Sequence, residues 1–506
     1  MHSKLYSAIC YGIDAKIVSI EVDLGKSEKK CEFHILGLTT MKAKESKWRI
    51  ISALANIGIE LPSRDITVNI PDLNNRSNGE MFDVGICATI LQSLGRIKLD
   101  KKFIKETLFI GQMGLDGKFT SVKGVLPIAF SCHELGIKKI IMSKENALEC
   151  SAIKNVEIYG ISNIKEMIDF FNGDVTLNSI KSEFKFEYVR PNYKCMNEVK
   201  GQALAKRALQ IAAAGRHNVL FVGPPGSGKT MLAERLRHIM PPMTKEEILE
   251  TSKIYSISKK VDANKLITER PFRSPHHTTA YAGLIGGGII PQPGEISLSH
   301  NGILFLDEFT EFTHHTLESL REPLEKKTVS ISRSQQSLEF PANFLLVAAL
   351  NPCPCGYLGD SKRICKCSAS SVKNYLNKLS GPLLDRIDIQ VALQSVDYDT
   401  IKIESHDVDL DKYYNDILTA NDRQKYYKRK SNVEIVNEFC KLDAGAERIV
   451  QIAFDKLNLT MRGYHKTLRV ARTIADLDNN PTVCESHIKE ALMFRSLDKT
   501  IERWKT

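Results

Sequence analysis

Strict alternation of apolar and polar residues over Asp65-Ile-Thr-Val-Asn-Ile predicts a half-buried strand. Ile17-Val-Ser-Ile-Glu-Val and Glu32-Phe-His-Ile-Leu also read as strands. Over residues 42–58 the period changes, with Trp48, Ile51, Leu54 and Ile57 recurring at helical spacing. Residues 82–94 predict an apolar helix and Thr107-Leu-Phe-Ile-Gly a buried strand. Residues 129–136 followed by Lys139-Ile-Ile-Met predict a further helix–strand unit. Strands and helices mixed in this way make residues 1–175 an α/β domain. The polar stretch KSEFKFEYVRPNYKCMNEVK (181–200), broken by Pro191, reads as a linker, assigned to 176–195.

Beyond the linker the apolar runs become short and continuous, the pattern of strands buried on both faces. An alanine-rich helix runs to Gly215, then the strand 218–222 leads directly into Gly223-Pro224-Pro225-Gly226-Ser227-Gly228-Lys229-Thr230, and a helix starts at Met231. This strand, glycine-rich loop and helix order is that of a phosphate-binding loop: backbone N–H groups turn inward around the phosphates, Lys229 reaches the β- and γ-phosphates, and Thr230 can ligate Mg²⁺. A nucleoside triphosphate is therefore the expected ligand. The run Gly302-Ile-Leu-Phe-Leu ends in Asp307 and Glu308, which suit holding Mg²⁺ through water and polarising an attacking water, respectively. A helix is predicted over 314–325. Thr328-Val-Ser-Ile-Ser-Arg333 and Ser337-Leu-Glu-Phe then alternate around Ser334-Gln-Gln as a β-hairpin. A further buried strand over 344–350 ends in Asn351. Together these elements predict a parallel-sheet ATPase core over 196–395. Residues 396–506 read as a charged connector and a helical lid. In the lid, Arg462, His465, Lys466, Arg469 and Arg472 fall on one side of a helix with Leu468, Ala471 and Ile474 largely opposite, and pattern alone makes that a solvated basic face.

A chain of 506 residues predicts two to four domains. No apolar run approaches the roughly 20 residues of a membrane span, and the first residues lack the apolar core of a signal peptide. Membrane and secreted classes are thereby set aside, and a reducing cytoplasm is expected from twelve cysteines that are mostly scattered. Four of them cluster, as Cys353-Pro-Cys355 and Cys365-Lys-Cys367, which suits a tetrahedral structural Zn²⁺ site, against buried or free thiols. Lys362, Arg363, Lys366, Lys373 and Lys378 surround the cluster without an acid between 361 and 380. That pattern fits a basic knuckle facing a polyanion or a solvated loop. The net charge of +10 permits a polyanionic partner but is too diffuse to assign one. Adjacent residues such as His276 and His277 chelate poorly, and no acidic or cysteine partner is spaced beside them.

Several stretches, in order, resemble the YifB/ComM family of Mg-chelatase-like AAA+ ATPases, which carry a Lon-protease-like front domain. They are ESKWRIISAL (45–54), NIPDLNNRSNGEMFDVGICATIL (69–91), GLDGKFTSVKGVLPIA (114–129), IIMSKENALE (140–149), RPFRSPHHTT (270–279) and GGGIIPQPGEISLSHNGILFLDE (286–308). The resemblance covers nearly the whole chain. It implies that residues 199–202 pack near the adenine and that Asn351 is a first sensor. Arg386, in Leu-Asp-Arg-Ile-Asp, becomes a finger acting on the neighbouring subunit's nucleotide, although that run alone also fits surface ion pairing. Arg462 becomes a second sensor, with Arg469 as the fallback. Loop 283–300 and the hairpin around Arg333 become contacts to DNA, with Lys362 and Arg363 as further candidates. The implied activity is a hexameric ATP-driven motor for DNA branch migration and unwinding, aiding integration of transforming DNA. A metal-chelatase-like ATPase subunit or an ATP-switched binding protein without motor activity is the alternative. The front domain departs from a Lon-type peptidase: Glu80, Met81, Phe82 and Asp83 follow Gly79 where a serine is needed, and Lys123 is offset from the partner position. A fold without peptidase activity is expected.

Overall fold

The computed structural model describes residues 2–25, 32–71, 79–180, 192–258, 266–288, 291–333, 336–360, 362–395, 409–427, 430, 432–457, 460–495, 497, 500 and 504. Its centre is a five-stranded, wholly parallel sheet in the order Phe272–Arg273, Ile303–Leu306, Leu345–Leu350, Val219–Val222, Ile389–Ala392. The continuous apolar runs of these strands follow from burial on both faces, and alternate residues divide between two cores. Val219, Phe221, Ile303, Phe305, Leu345 and Val347 pack against the helices Ala203–Gly215, Lys229–Ile239, Leu410–Gln424 and Met461–Leu477. Leu220, Val222, Leu304, Leu306, Leu346 and Ala348 face Leu284, Ile296, Phe309, Phe312 and Leu320 on the other side. The fold is α/β, a parallel sheet flanked by helices with a helical C-terminal part.

The front of the chain forms a four-stranded sheet, His2–Tyr11, Asp14–Leu24, Ile66–Asn69, Phe33–Leu36, and a three-stranded parallel one of Thr107–Phe109, Lys139–Ser143 and Glu157–Ile161. Its core does not stop at the linker. Met243, Ile248 and Leu266, from beyond it, are buried in the same cluster. The helix Lys245–Ile257 carries this contact. It starts at a capping box in which Thr244 accepts from the Glu247 N–H and Glu247 accepts from that of Thr244. At its far end Gly124 N–H donates to Ser256 O at 3.0 Å, and Ser256 Oγ donates to Glu149 Oε1 at 3.0 Å.

Several expectations change here. Trp48 is exposed, and the helix Thr40–Asn56 buries Ser46, Ile50, Ala53 and Leu54 instead. The helix expected at 129–136 begins earlier, at Val125–Ser131, released by the left-handed Gly124. The helix expected over 314–325 is two, His314–Glu318 and Arg321–Lys326. Part of the expected connector is the helix Leu410–Gln424. The side of the lid helix read as solvated is so only in part: Arg462 is exposed, but Lys466 and Arg472 are buried, with Lys466 Nζ 2.9 Å from Asp388 Oδ1 and Arg472 Nη2 2.9 Å from Asp476 Oδ1. Helical periodicity scores every charge as outward, and buried pairing is what defeats that rule. The hairpin is present as Thr328–Arg333 paired with Gln336–Pro341. Residues 334–335 at its tip and 396–408 of the expected connector lie outside the described residues, as do 181–191 of the linker.

Candidate active site

The carboxyl ends of the parallel strands converge on one crevice, where open α/β sheets place their ligands. Val219–Val222 delivers the loop 223–228. Within it Gly226 (φ 78°) and Gly228 (φ 88°) are left-handed with open space around each, so backbone conformation rather than packing calls for glycine. Gly223 is different: a Cβ there would lie 2.8 Å from Leu393 O, so close approach of two strands excludes one. Lys229 Nζ donates to Gly223 O at 2.7 Å, Pro224 O at 2.9 Å and Asn351 Oδ1 at 3.1 Å. Burial lowers its pKa, and Asp307 opposes that shift. Thr230 Oγ1 donates to Asp307 Oδ2 at 2.9 Å, and the Glu308 N–H to Asp307 Oδ1 at 2.9 Å. Ser227 Oγ is buried without a hydrogen-bond partner among the described residues. An orphan hydroxyl in a glycine cradle at the start of the helix Lys229–Ile239, with an ammonium beside it, fits a triphosphate. The paired Thr230 hydroxyl and Asp307 carboxylate are hard oxygen donors that fit Mg²⁺.

Glu308 sits at φ 49°, an uncommon left-handed conformation for a residue with a Cβ. Its half-exposed carboxylate has Oε2 3.0 Å from Nδ1 of His277. Sequence reasoning missed this partnership. No sequence pattern announces it: the short parallel pairing of Arg273 with Leu304 brings the two chains together, and His277 and Glu308 each lie four residues beyond that pair, past the strand ends. His276 turns instead to Thr278, with Nδ1 2.9 Å from Oγ1. In the 199–202 turn, Gln202 Nε2 donates to Gln394 O at 2.9 Å, tying the turn to the strand beside the phosphate loop.

Lys229, Thr230, Asp307, Glu308 and Asn351 are thus brought together. Arg386 and Arg462 are brought to each other, elsewhere. Arg386 donates to Arg321 O at 3.0 Å and Pro382 O at 2.7 Å and pairs with Glu325, whose other oxygen lies 3.3 Å from Arg462 Nη2. An open cleft of about 640 Å³ lies beside them, lined by Tyr281, Glu318, Arg321, Glu325 and Arg386. Arg469 binds Gly215 O at 3.3 Å, away from the phosphate loop.

The four clustered cysteines converge. Cys353 Sγ lies 3.4 Å from Cys355 Sγ and 3.6 Å from Cys365 Sγ, and the four sulfurs, with that of Cys367, lie within 4.8 Å of one another. Backbone hydrogen bonds from Tyr357 and Lys366 bring the Cys355 thiol down to about 6. Four converging sulfurs at these separations fit a tetrahedral Zn²⁺. Arg363 is exposed and braced on Tyr357, donating to its hydroxyl at 2.8 Å, and Lys362 beside it is exposed. The side chain of Arg333 lies outside the described residues, as do Ile289 and Ile290 of loop 283–300. Much of the rest of that loop is packed inside, with Leu284, Ile296, Leu298 and His300 buried, so its described exposed surface narrows to the Gly288 turn.

Sheet order, phosphate loop and paired acids define an AAA+ P-loop ATPase fold of the magnesium-chelatase type. Residues 195–401 match the family model described as magnesium chelatase, subunit ChlI; residues 20–146 match that of subunit ChlI of Mg-chelatase, and 414–495 that of the ChlI C-terminal region. The chain belongs to the ComM/YifB family within that class. It is 36% identical over 508 residues to the competence protein ComM of Haemophilus influenzae, covering 99% of this chain and 98% of that one. It is 33% identical over 509 residues to the protein YifB of Escherichia coli, at 99% and 98% coverage. Similarity to the magnesium-chelatase 67 kDa subunit of Heliobacterium mobile is narrower, 26% over 187 residues, 30% of this chain and 27% of that one. No helix among the described residues is long and apolar enough to cross a membrane.

Proposed function

We propose that this chain is an ATP-driven DNA motor that works as a hexameric ring, promoting branch migration and unwinding during recombination and the integration of transforming DNA. The observation that carries the reading is the separation of two half-sites: Lys229, Thr230, Asp307, Glu308 and Asn351 at one crevice, Arg386 and Arg462 at another beside an open cleft. A chain with both halves apart completes its chemistry with a second copy, and a ring satisfies every copy. The kinship with ComM, named a competence protein, supports a role on incoming DNA.

The phosphates lie in the 223–228 cradle, where Lys229 exchanges its carbonyl partners for phosphate oxygens. When bound, Mg²⁺ supplies charge neutralisation across the phosphates, held by Thr230 and, through water, by Asp307. Glu308 leaves His277, accepts a hydrogen bond from the attacking water and takes up its proton at Oε, while Asn351 fixes the same water. Arg386 of the adjacent copy offsets charge on the phosphoryl group and Arg462 senses the nucleotide. The Arg333 hairpin, Lys362 and Arg363 contact DNA, and the four cysteines hold Zn²⁺. Residues 1–175 act as a guiding domain without peptidase chemistry: none of the four residues after Gly79 is a serine, the last of them, Asp83, is buried against Arg49 at 2.7 Å, and Lys123 is exposed. The divisions at 176–195 and 396 belong to the same reading.

The test is movement of synthetic four-way DNA junctions by the purified chain with ATP. Lys229→Ala and Glu308→Gln should abolish both hydrolysis and junction movement. Hydrolysis by the wild type with no movement of any junction would sink the motor and leave an ATP-switched binding protein.

A further inference from the structure

Residues 352–368, which carry the four cysteines, form neither helix nor strand among those described. A compact stretch of this length without secondary structure needs another source of order. Packing supplies little. Cys353, Val372 and Leu376 are the buried residues of its small apolar cluster, and Ile364, between the two halves of the thiol set, is 90% exposed. The sulfurs supply the alternative. Separations of 3.4 and 3.6 Å are far beyond the roughly 2.0 Å of a disulfide and close to the roughly 3.8 Å edge of a tetrahedron with Zn–S near 2.3 Å.

This knuckle also touches the nucleotide crevice at two points. Gly356, between Cys355 and the turn that follows, is at φ 84° with its backbone against the phosphate loop. A Cβ there would lie 2.6 Å from Pro225 Cδ and 3.8 Å from Asn351 Cγ. Its N–H donates to Cys353 O at 2.9 Å, so the contact is fixed by the same turn that presents the first two sulfurs. Further on, Asp360 Oδ1 accepts from Ser395 Oγ at 3.1 Å. That hooks the knuckle to the segment whose Leu393 O closes against Gly223. Both anchors, Gly356 on Pro225 and Asn351 and Asp360 on the chain flanking Gly223, therefore lie in the segment that the two cysteine pairs close at either end.

We propose that the four thiolates hold a structural Zn²⁺, and that this ion sets the position of Pro225 and Asn351, making the affinity for nucleotide depend on a metal that never touches it. The inference rests on 223–230 being the nucleotide site. Loss of the ion removes what holds Gly356 in its turn, and the phosphate loop loses one wall.

The experiment uses the full chain purified under reducing conditions. Metal content is read by mass spectrometry of the protein, and binding by the fluorescence of mant-ATP with Mg²⁺. One zinc per chain is expected. Release with an organomercurial, followed by thiol, should weaken mant-ATP binding by about tenfold, and added Zn²⁺ should restore it. Cys365→Ser/Cys367→Ser should lose both zinc and affinity. Gly356→Ala keeps all four sulfurs, so it should retain zinc yet bind mant-ATP several-fold more weakly. Reduced protein without zinc overturns the metal site. Zinc release that leaves affinity unchanged, or Gly356→Ala with wild-type affinity, overturns the coupling. Zinc-loaded wild type that fails to bind mant-ATP overturns the nucleotide site itself, a result distinct from the other two.

Discussion

His217 lies two residues before the strand that feeds the phosphate loop, and it is fully buried. Its Nε2 lies 2.8 Å from Thr473 Oγ1 on the lid helix. Thr473 donates its own proton to Arg469 O at 3.1 Å, so its oxygen accepts from the imidazole Nε2–H. Nδ1 is 3.9 Å from Asp388 Oδ2, too long for a hydrogen bond. Burial brings its pKa down to about 4; Asp388 works against the shift, while Arg469 and Lys466 add to it. The unfolded chain takes up a proton near pH 6.5 that the folded chain refuses until about pH 4. Stability contributed by this site is therefore complete above that window and falls as pH drops through it. The loss is about 2 kcal/mol by pH 5 and about 3 kcal/mol at saturation. Amide hydrogen exchange, corrected for intrinsic rates, reads it locally. Peptides over Val219–Val222 and Met461–Leu477 should exchange about 30-fold faster at about pH 5 than at about pH 7.5 in the wild type. His217→Gln preserves the reach to Thr473 and should flatten that dependence. The front domain provides an internal contrast. Burial pushes Glu149 up to about 7, so the folded state holds a proton there that the unfolded state releases above about 4.5. Its contribution is present at low pH and lost as pH rises, and peptides over Lys144–Glu149 should gain protection where the lid loses it. An unchanged slope in His217→Gln, or one trend shared by both regions, would refute the reasoning.

Two further perturbations follow from ion pairs. Lys466→Met keeps the buried stem but leaves the Asp388 carboxylate with the Asn218 N–H at 2.9 Å and no cation within the pair, which should cost about 3–5 kcal/mol of lid stability. Lys466→Met/Asp388→Asn should recover much of that in a denaturant double-mutant cycle, and simple additivity would contradict the pairing. Glu325→Gln frees Arg386 and Arg462 from a half-exposed carboxylate, so stability should change by less than about 1 kcal/mol. Its ATPase activity should reach its maximum at lower protein concentration than the wild type's, and lower activity at every concentration would contradict a holding role for Glu325.

The central strands were legible because a strand buried on both faces is an unbroken apolar run, and Phe221 and Phe305 advertise it without alignment or partner. The phosphate loop was legible because Gly226 and Gly228 occupy backbone conformations that few other residues tolerate. The meeting of His277 with Glu308 was not. It depends on an edge strand of two residues, Phe272–Arg273, too short to leave a period, yet long enough to set a parallel register. Lys466 and Arg472 misled for the opposite reason: the helical period was right, and their buried partners, Asp388 and Asp476, were invisible to it. Arg386 and Arg462 are separated by 76 positions in sequence, and nothing local to either announces that both close on Glu325.

The helix Lys245–Ile257 lends residues to a core that otherwise belongs to the front of the chain, and this bears on how the protein is made. A ribosome delivers residues in order, and the front sheets emerge complete at about residue 180. Met243, Ile248 and Leu266 arrive later, after roughly 85 more residues, or roughly 5 to 20 seconds of synthesis at ordinary rates. During that interval the apolar surface that will receive them is bare. The nascent front sheets must wait, exposed or chaperoned, until the phosphate loop has already left the ribosome. The two parts of the molecule finish folding together, and the later one supplies the piece that closes the earlier.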